Sequence, residues 1–118
     1  NQVALMLSKK TAGIDTQDIT PKIRRIVRKF MNRPELESLR EENYETHATL
    51  YWCAKEALYK AYSKRELIFT GNILVQPFSL KSNSGEITGS ISLENSITDF
   101  KLRYEISNLY ALVYLWNE

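Results

Sequence analysis

The rhythm of hydrophobic and polar positions changes twice along the chain. Val3 to Leu7 is a short apolar run with a β-branched start, which suits a buried strand. Ser8 to Thr11 reads as a turn. Ala12-Gly13-Ile14-Asp15 then reads as a second short strand ending in a carboxylate. From Pro21 to about Asn32 the apolar residues fall at Ile23, Ile26, Val27 and Phe30, a helical stripe. Thr20 is a good N-cap and Pro21 suits the first helical position. Pro34 ends this helix and can open a short one through Glu35, Leu36 and Leu39. A longer helix is expected from Glu45 to Ser63, with Leu50, Ala54, Ala57, Leu58 and Ala61 on its core face.

After Lys64 the period shortens to two. Ile73 to Phe78, Glu86 to Leu93, Phe100 to Ile106 and Tyr110 to Trp116 read as strands. Ser82-Asn83-Ser84-Gly85 is a turn between two of them, and Ser107-Asn108 fits the tip of a tight hairpin. Ile87, Gly89, Ile91 and Leu93 alternate with Thr88, Ser90 and Ser92, so that strand has one wet face. Tyr110 to Trp116 is almost wholly apolar and therefore interior to the sheet. Helices in the middle followed by antiparallel strands make an α+β pattern, a sheet packed against a long helix.

Composition narrows the class. With 118 residues the chain suits one domain, residues 1–118. A domain of this size buries roughly two-thirds of its unfolded surface. The 43% hydrophobic content argues against disorder. One cysteine forbids an internal disulfide and a cysteine-rich zinc site. No apolar run approaches the roughly 18 residues of a membrane helix, so no membrane partner is expected. The charge is lopsided: the first 34 residues hold eight basic and two acidic side chains, and the remainder is net acidic. Such a basic end attracts acidic partners or phosphates, and it is equally an ordinary solvated helix face. No nucleic-acid motif accompanies it, and the near-balanced total argues against nucleic acid as the main partner.

The chemistry lies in a few positions. Trp52, Glu56 and Lys60 are spaced by four and stack along one helix face. Taken alone, Glu56 and Lys60 are a surface pair worth a few tenths of a kcal/mol. Asp15, after a glycine at a strand end, can reach a ligand or cap a turn. Two carboxylates from different elements with one lysine would suit a Mg²⁺-diphosphate site, the cation taking oxygens and the ammonium neutralising phosphate. His47 reads as a structural or surface residue, and Cys53, with no His or Cys partner in the sequence pattern, as a buried inert thiol. Tyr44, Tyr51, Tyr59 and Tyr62 read as half-buried packing residues.

Gly13-Ile14-Asp15, followed about forty residues later by Trp52-Cys53-Ala54-Lys55-Glu56-Ala57-Leu58-Tyr59-Lys60-Ala61, resembles the 4′-phosphopantetheinyl transferase superfamily. Its pattern is G-[IV]-D, a spacer, then W-x-x-K-E-A-x-x-K, and every fixed position is matched. The basic helix, Phe30, Pro34-Glu35, Val75-Gln76-Pro77-Phe78 and Tyr110 to Val113 are similar to the family as well, so the likeness covers nearly the whole chain.

The resemblance implies a cytoplasmic, Mg²⁺-dependent transfer of 4′-phosphopantetheine from coenzyme A to a serine of an acyl or peptidyl carrier protein. It makes Asp15 and Glu56 metal ligands, with Gln17 where many members carry a third, acidic ligand. Glu56 is also the candidate for assisting deprotonation of the serine. Lys60 matches the lysine that contacts the coenzyme's diphosphate. Lys55 is a second expected coenzyme-binding residue, and Trp52 supports the site. The strand before Gly13 resembles the two-lobed surfactin-synthetase-activating type. The chain is then one lobe of a pseudo-dimer that lacks its N-terminal partner, or one subunit of an oligomer that self-associates. The alternative is a lobe that binds carrier protein or coenzyme A without turnover.

Overall fold

A computed structural model describes residues 13–62 and 66–115. Five antiparallel strands form one sheet: β1 (Ile14–Asp18), β2 (Ile73–Val75), β3 (Ser84–Leu93), β4 (Ser96–Ile106) and β5 (Tyr110–Leu115), in the order β1-β5-β4-β3-β2. Two short helices, α1 (Val27–Phe30) and α2 (Arg33–Glu37), precede the long α3 (Tyr44–Tyr62). The helix packs against β1, β5, β2 and β3. This is an α+β arrangement, with β1 before the helices and the other four strands after them.

The long helix is buried on more sides than its stripe predicts. Leu50, Ala54, Ala57 and Leu58 face the core as expected, while Ala61 is half-exposed. His47, Tyr51, Cys53 and Lys55 are also buried, because α1, α2 and the segment around Phe69 and Phe78 cover the sides the sheet leaves open. Tyr44, Tyr59 and Tyr62 are half-buried. At Gly89 an added Cβ would lie 2.7 Å from Leu58 Cδ1, so the glycine lets β3 approach the helix closely.

The helix expected over Pro21–Asn32 is broken. A 3-10 turn runs Pro21–Arg25 and α1 follows after Ile26, whose φ and ψ are −121° and 1°. Thr20 caps the turn through its side chain, as its sequence position predicts. Ile23, Ile26 and Val27 are β-branched, and the like charges of Arg24/Arg28 and Arg25/Lys29 lie four apart. Both effects weaken a continuous helix. Asp15 does not end its strand: it is the second residue of β1, whose pairing with β5 continues through Gln17 opposite Ala111.

Strand ends differ where burial and pairing disagree. β2 stops before Pro77, which has no N–H to donate. β3 begins at Ser84, inside the expected turn, where Gly85 pairs with Tyr104. β4 begins at Ser96, four residues before Phe100, because the two-residue turn Glu94-Asn95 lets an exposed hairpin zip along its backbone without burial. β5 is interior, flanked by β1 and β4, as its apolar run requires. Ser107–Leu109 join β4 to β5. The strand expected at Val3–Leu7, and the ends at Ser63 and Trp116, lie outside the described residues.

Candidate functional site

β1 and the last half of α3 meet along one edge of the sheet, and Asp15 and Lys60 touch there. Gly13 makes the approach possible. A Cβ on it would lie 1.9 Å from Leu115 Cδ1, and its carbonyl accepts from Leu115 N at 2.8 Å. β1 is thereby seated against β5, and Asp15, opposite Val113, is directed toward α3 with 6% of its surface exposed.

Both oxygens of Asp15 accept hydrogen bonds. Lys60 Nζ donates to Oδ1 at 2.8 Å and to the Ile14 carbonyl at 3.2 Å. Gln17 Nε2 donates to Oδ2 at 2.9 Å, the two residues sharing a strand face. Gln17 therefore presents its amide N–H to Asp15. One turn before Lys60 on α3, Glu56 is partly exposed. Burial raises its carboxyl pKa above the ordinary range, the Asp15 charge raises it further, and Lys60 partly offsets both. The pair seen as a plain surface contact by spacing is thus a three-way cluster in which the lysine holds Asp15 and its charge reaches Glu56.

Of the motif's other residues, Cys53 lies against Asp15 from inside the core, while Trp52 and Lys55 point elsewhere. Cys53 is buried, and its Sγ donates to the Ala111 carbonyl at 3.7 Å. Burial pushes its thiol pKa far up and the Asp15 charge adds to that, so it is an inert packing group. Trp52 meets the Phe30 ring edge-on at 4.7 Å and Phe69 at 5.6 Å, wedging α3 between two neighbouring segments.

Lys55 lies away from the Asp15 cluster and is wholly buried. Its Nζ donates to Glu35 Oε1 at 2.8 Å and to the carbonyls of Phe30 and Phe69, each at 2.7 Å. Glu35 in turn accepts from Asn32 N at 2.9 Å and from Val75 N at 2.8 Å. All three ammonium protons are committed inside the protein, so in this structure Lys55 offers none to a coenzyme. Sequence reasoning missed Glu35 as its partner. The Asn32-x-x-Glu35 spacing signals a capping box, which the structure contains, but nothing in it announces an ion pair twenty residues away.

A carboxylate beside a second one whose charge makes its ionisation harder suits a hard dication, which takes few protein ligands and fills its shell with water and phosphate oxygens. Among the described residues no group of three or more His, Cys, Asp or Glu side chains is placed to hold a metal. The carboxylates that could hold a cation at this edge are Asp15 and Glu56, and Gln17 could add an oxygen only after turning its amide.

Beside the cluster an open cleft of about 300 Å³ is lined by Gln17, Lys22, Arg25, Ile26, Thr49 and Trp52. Arg24 does not serve it: its guanidinium is held by Glu41 and Glu45 and lies over the Tyr44 ring. No helix among the described residues is long and apolar enough to cross a membrane.

No curated protein matches the chain. The family model of the 4′-phosphopantetheinyl transferase superfamily matches residues 11–112, which take in the glycine, the Asp15 strand and the whole of α3. Match and architecture agree, and the chain belongs to the 4′-phosphopantetheinyl transferase superfamily.

Proposed function

We propose that this protein carries out Mg²⁺-dependent transfer of 4′-phosphopantetheine from coenzyme A to a serine of an acyl or peptidyl carrier protein. The observation that carries this reading is the meeting of Asp15 and Lys60, with Glu56 one turn away on α3, inside the stretch that matches the family. Asp15 and Glu56 would hold the cation, which neutralises charge on the diphosphate. Lys60 is the ammonium available to the diphosphate at the open end of the cluster. The serine oxygen attacks the phosphorus bearing pantetheine. A new P–O bond forms, the bond to the other phosphate breaks, and adenosine 3′,5′-bisphosphate leaves. Glu56, which the family resemblance makes the candidate base, would take the serine proton. Lys55 and Glu35 keep α3 fixed against its neighbours, a positioning role.

Intact-mass spectrometry of an apo carrier protein incubated with this protein, coenzyme A and Mg²⁺ tests the reading. A gain of one phosphopantetheine, lost without Mg²⁺, is expected. Glu56→Gln should lower the rate at least about a hundredfold while the fold survives, the usual scale for a general base. Full activity in that variant would sink the assignment.

Coenzyme A is much larger than the cleft beside Trp52, and Lys60 is 47% exposed. A facing surface, either another lobe or a second copy of this chain, would complete the pocket. With a second copy, the rate per chain rises with protein concentration. Gln17 at the third ligand position favours the rival reading, binding without turnover. Calorimetry separates the two, since coenzyme A binding that ignores Mg²⁺ would support the rival.

A further inference from the structure

Asp15 cannot withdraw. It is 6% exposed, and its strand is paired to β5 opposite Val113. Each of its oxygens already faces a proton donor, Lys60 Nζ at 2.8 Å and Gln17 Nε2 at 2.9 Å. Both donors place positive charge where a divalent cation would place its own. The two differ in what they can do about it. Gln17 needs only to turn its amide to present an oxygen. Lys60 has no acceptor to present, and its repulsion of a dication at hydrogen-bonding range is strong in a partly buried site. It must leave. It is free to do so, because it sits near the C-terminal end of α3 on a flexible stem and is 47% exposed.

We propose that Lys60 is a latch on the cation site: it occupies Asp15 until a diphosphate offers it a stronger set of acceptors, so cation and diphosphate bind synergistically. The inference rests on the transfer reading of this site and adds an order to it. Phosphate oxygens take an ammonium in charge-assisted hydrogen bonds. Drawing Lys60 onto the diphosphate bares Oδ1 of Asp15 and removes the like charge at once. The coupling is reciprocal, so the cation tightens diphosphate binding by the same factor.

Mn²⁺ binding, followed by the loss of its free-ion electron paramagnetic resonance signal, reads the latch without turnover. Wild type should bind Mn²⁺ weakly alone and about tenfold tighter with saturating coenzyme A. Lys60→Met should bind Mn²⁺ alone about fivefold tighter than wild type, and coenzyme A should then add less. Lys60→Gln, which keeps a donor for Asp15 but no charge, should behave alike and serves if the Met variant does not fold. Mn²⁺ affinity equal to or below wild type, in variants with wild-type circular dichroism, overturns the latch. If the variants gain Mn²⁺ affinity but coenzyme A changes nothing in any protein, Lys60 blocks the cation but no diphosphate releases it, and both the latch and the coenzyme reading fall. Absence of Mn²⁺ binding from every sample, with or without coenzyme A, overturns both.

Discussion

Lys55 and Glu35 are both fully buried, and each is the other's counter-charge. Burial lowers the Lys55 pKa, and the hydrogen bond and charge of Glu35 oppose that shift. Removing one partner leaves an uncompensated charge in the core. Lys55→Met should cost about 3–5 kcal/mol of stability, read from the urea midpoint. Adding Glu35→Gln should restore part of the loss, because the stranded carboxylate is gone while an acceptor for Val75 N remains. Losses that simply add would refute the coupling. His47 behaves differently. It is buried between the Tyr51 and Phe78 rings. Burial lowers its pKa below 6.5, with the Phe78 backbone partly opposing. The unfolded chain thus binds the proton more tightly. The stability His47 contributes is complete above pH 6.5 and is lost as pH falls toward the lowered folded value. Urea midpoints should drop across that window in wild type, and the slope should flatten in His47→Phe.

At the scale of elements, the motif glycine acts through space. Gly13 lets β1 close on Leu115, and β1 carries Asp15. Gly13→Ala should cost about 1–3 kcal/mol, as overpacking does, and should shift Asp15 away from Lys60. Thermal unfolding gives the first effect. The second appears as weaker retention of Mn²⁺ with coenzyme A, and a variant matching wild type in both would refute this account. The sequence stated much of this architecture. The four-residue spacing of Trp52, Glu56 and Lys60 was legible because a 3.6-residue period maps directly onto one face. The interior place of β5 was legible because only a doubly covered strand is apolar throughout. What failed had local and tertiary forces in conflict. The Pro21–Asn32 stripe kept its apolar period while β-branching and like charges broke the helix. Ser96–Asp99 carry no strand pattern because the exposed end of the β3–β4 hairpin is held by its ladder and not by a core. The direction of Lys55, inward to Glu35 and two carbonyls, was not legible either, because a motif marks a position but not a direction. Its neighbour Glu56 reaches the site, and one residue along a helix turns a side chain by about 100°.

For the whole molecule, the basic first third is an arc with its own geometry. Ile23, Val27 and Phe30 bury the inner side, and Lys22, Arg25, Arg28 and Lys29 remain exposed on the outer. Arg24 is spent on Glu41 and Glu45, and Arg33 pairs with Glu37, so among the described residues the arc's reach toward a partner rests on Lys22, Arg25, Arg28 and Lys29. Lys22 and Arg25 also line the cleft beside Gln17 and Trp52, which puts positive charge next to the Asp15 cluster rather than on a remote face. If the proposed substrate is an acidic carrier protein, this arc steers it toward the reacting atoms. Steering charges act on association and are screened by salt, whereas the Asp15, Glu56 and Lys60 contacts act on the bound diphosphate. Replacing Lys22 and Arg25 together by glutamate should raise the KM for the carrier about tenfold, leave kcat and the KM for coenzyme A nearly unchanged, and abolish most of the salt dependence of kcat/KM. Both substituted positions are solvent-exposed, so the fold should persist. Steady-state kinetics at low and high ionic strength decide the point. A fall in kcat instead would place these residues in the chemistry, and an unchanged salt profile would mean that the carrier approaches from another side of the sheet.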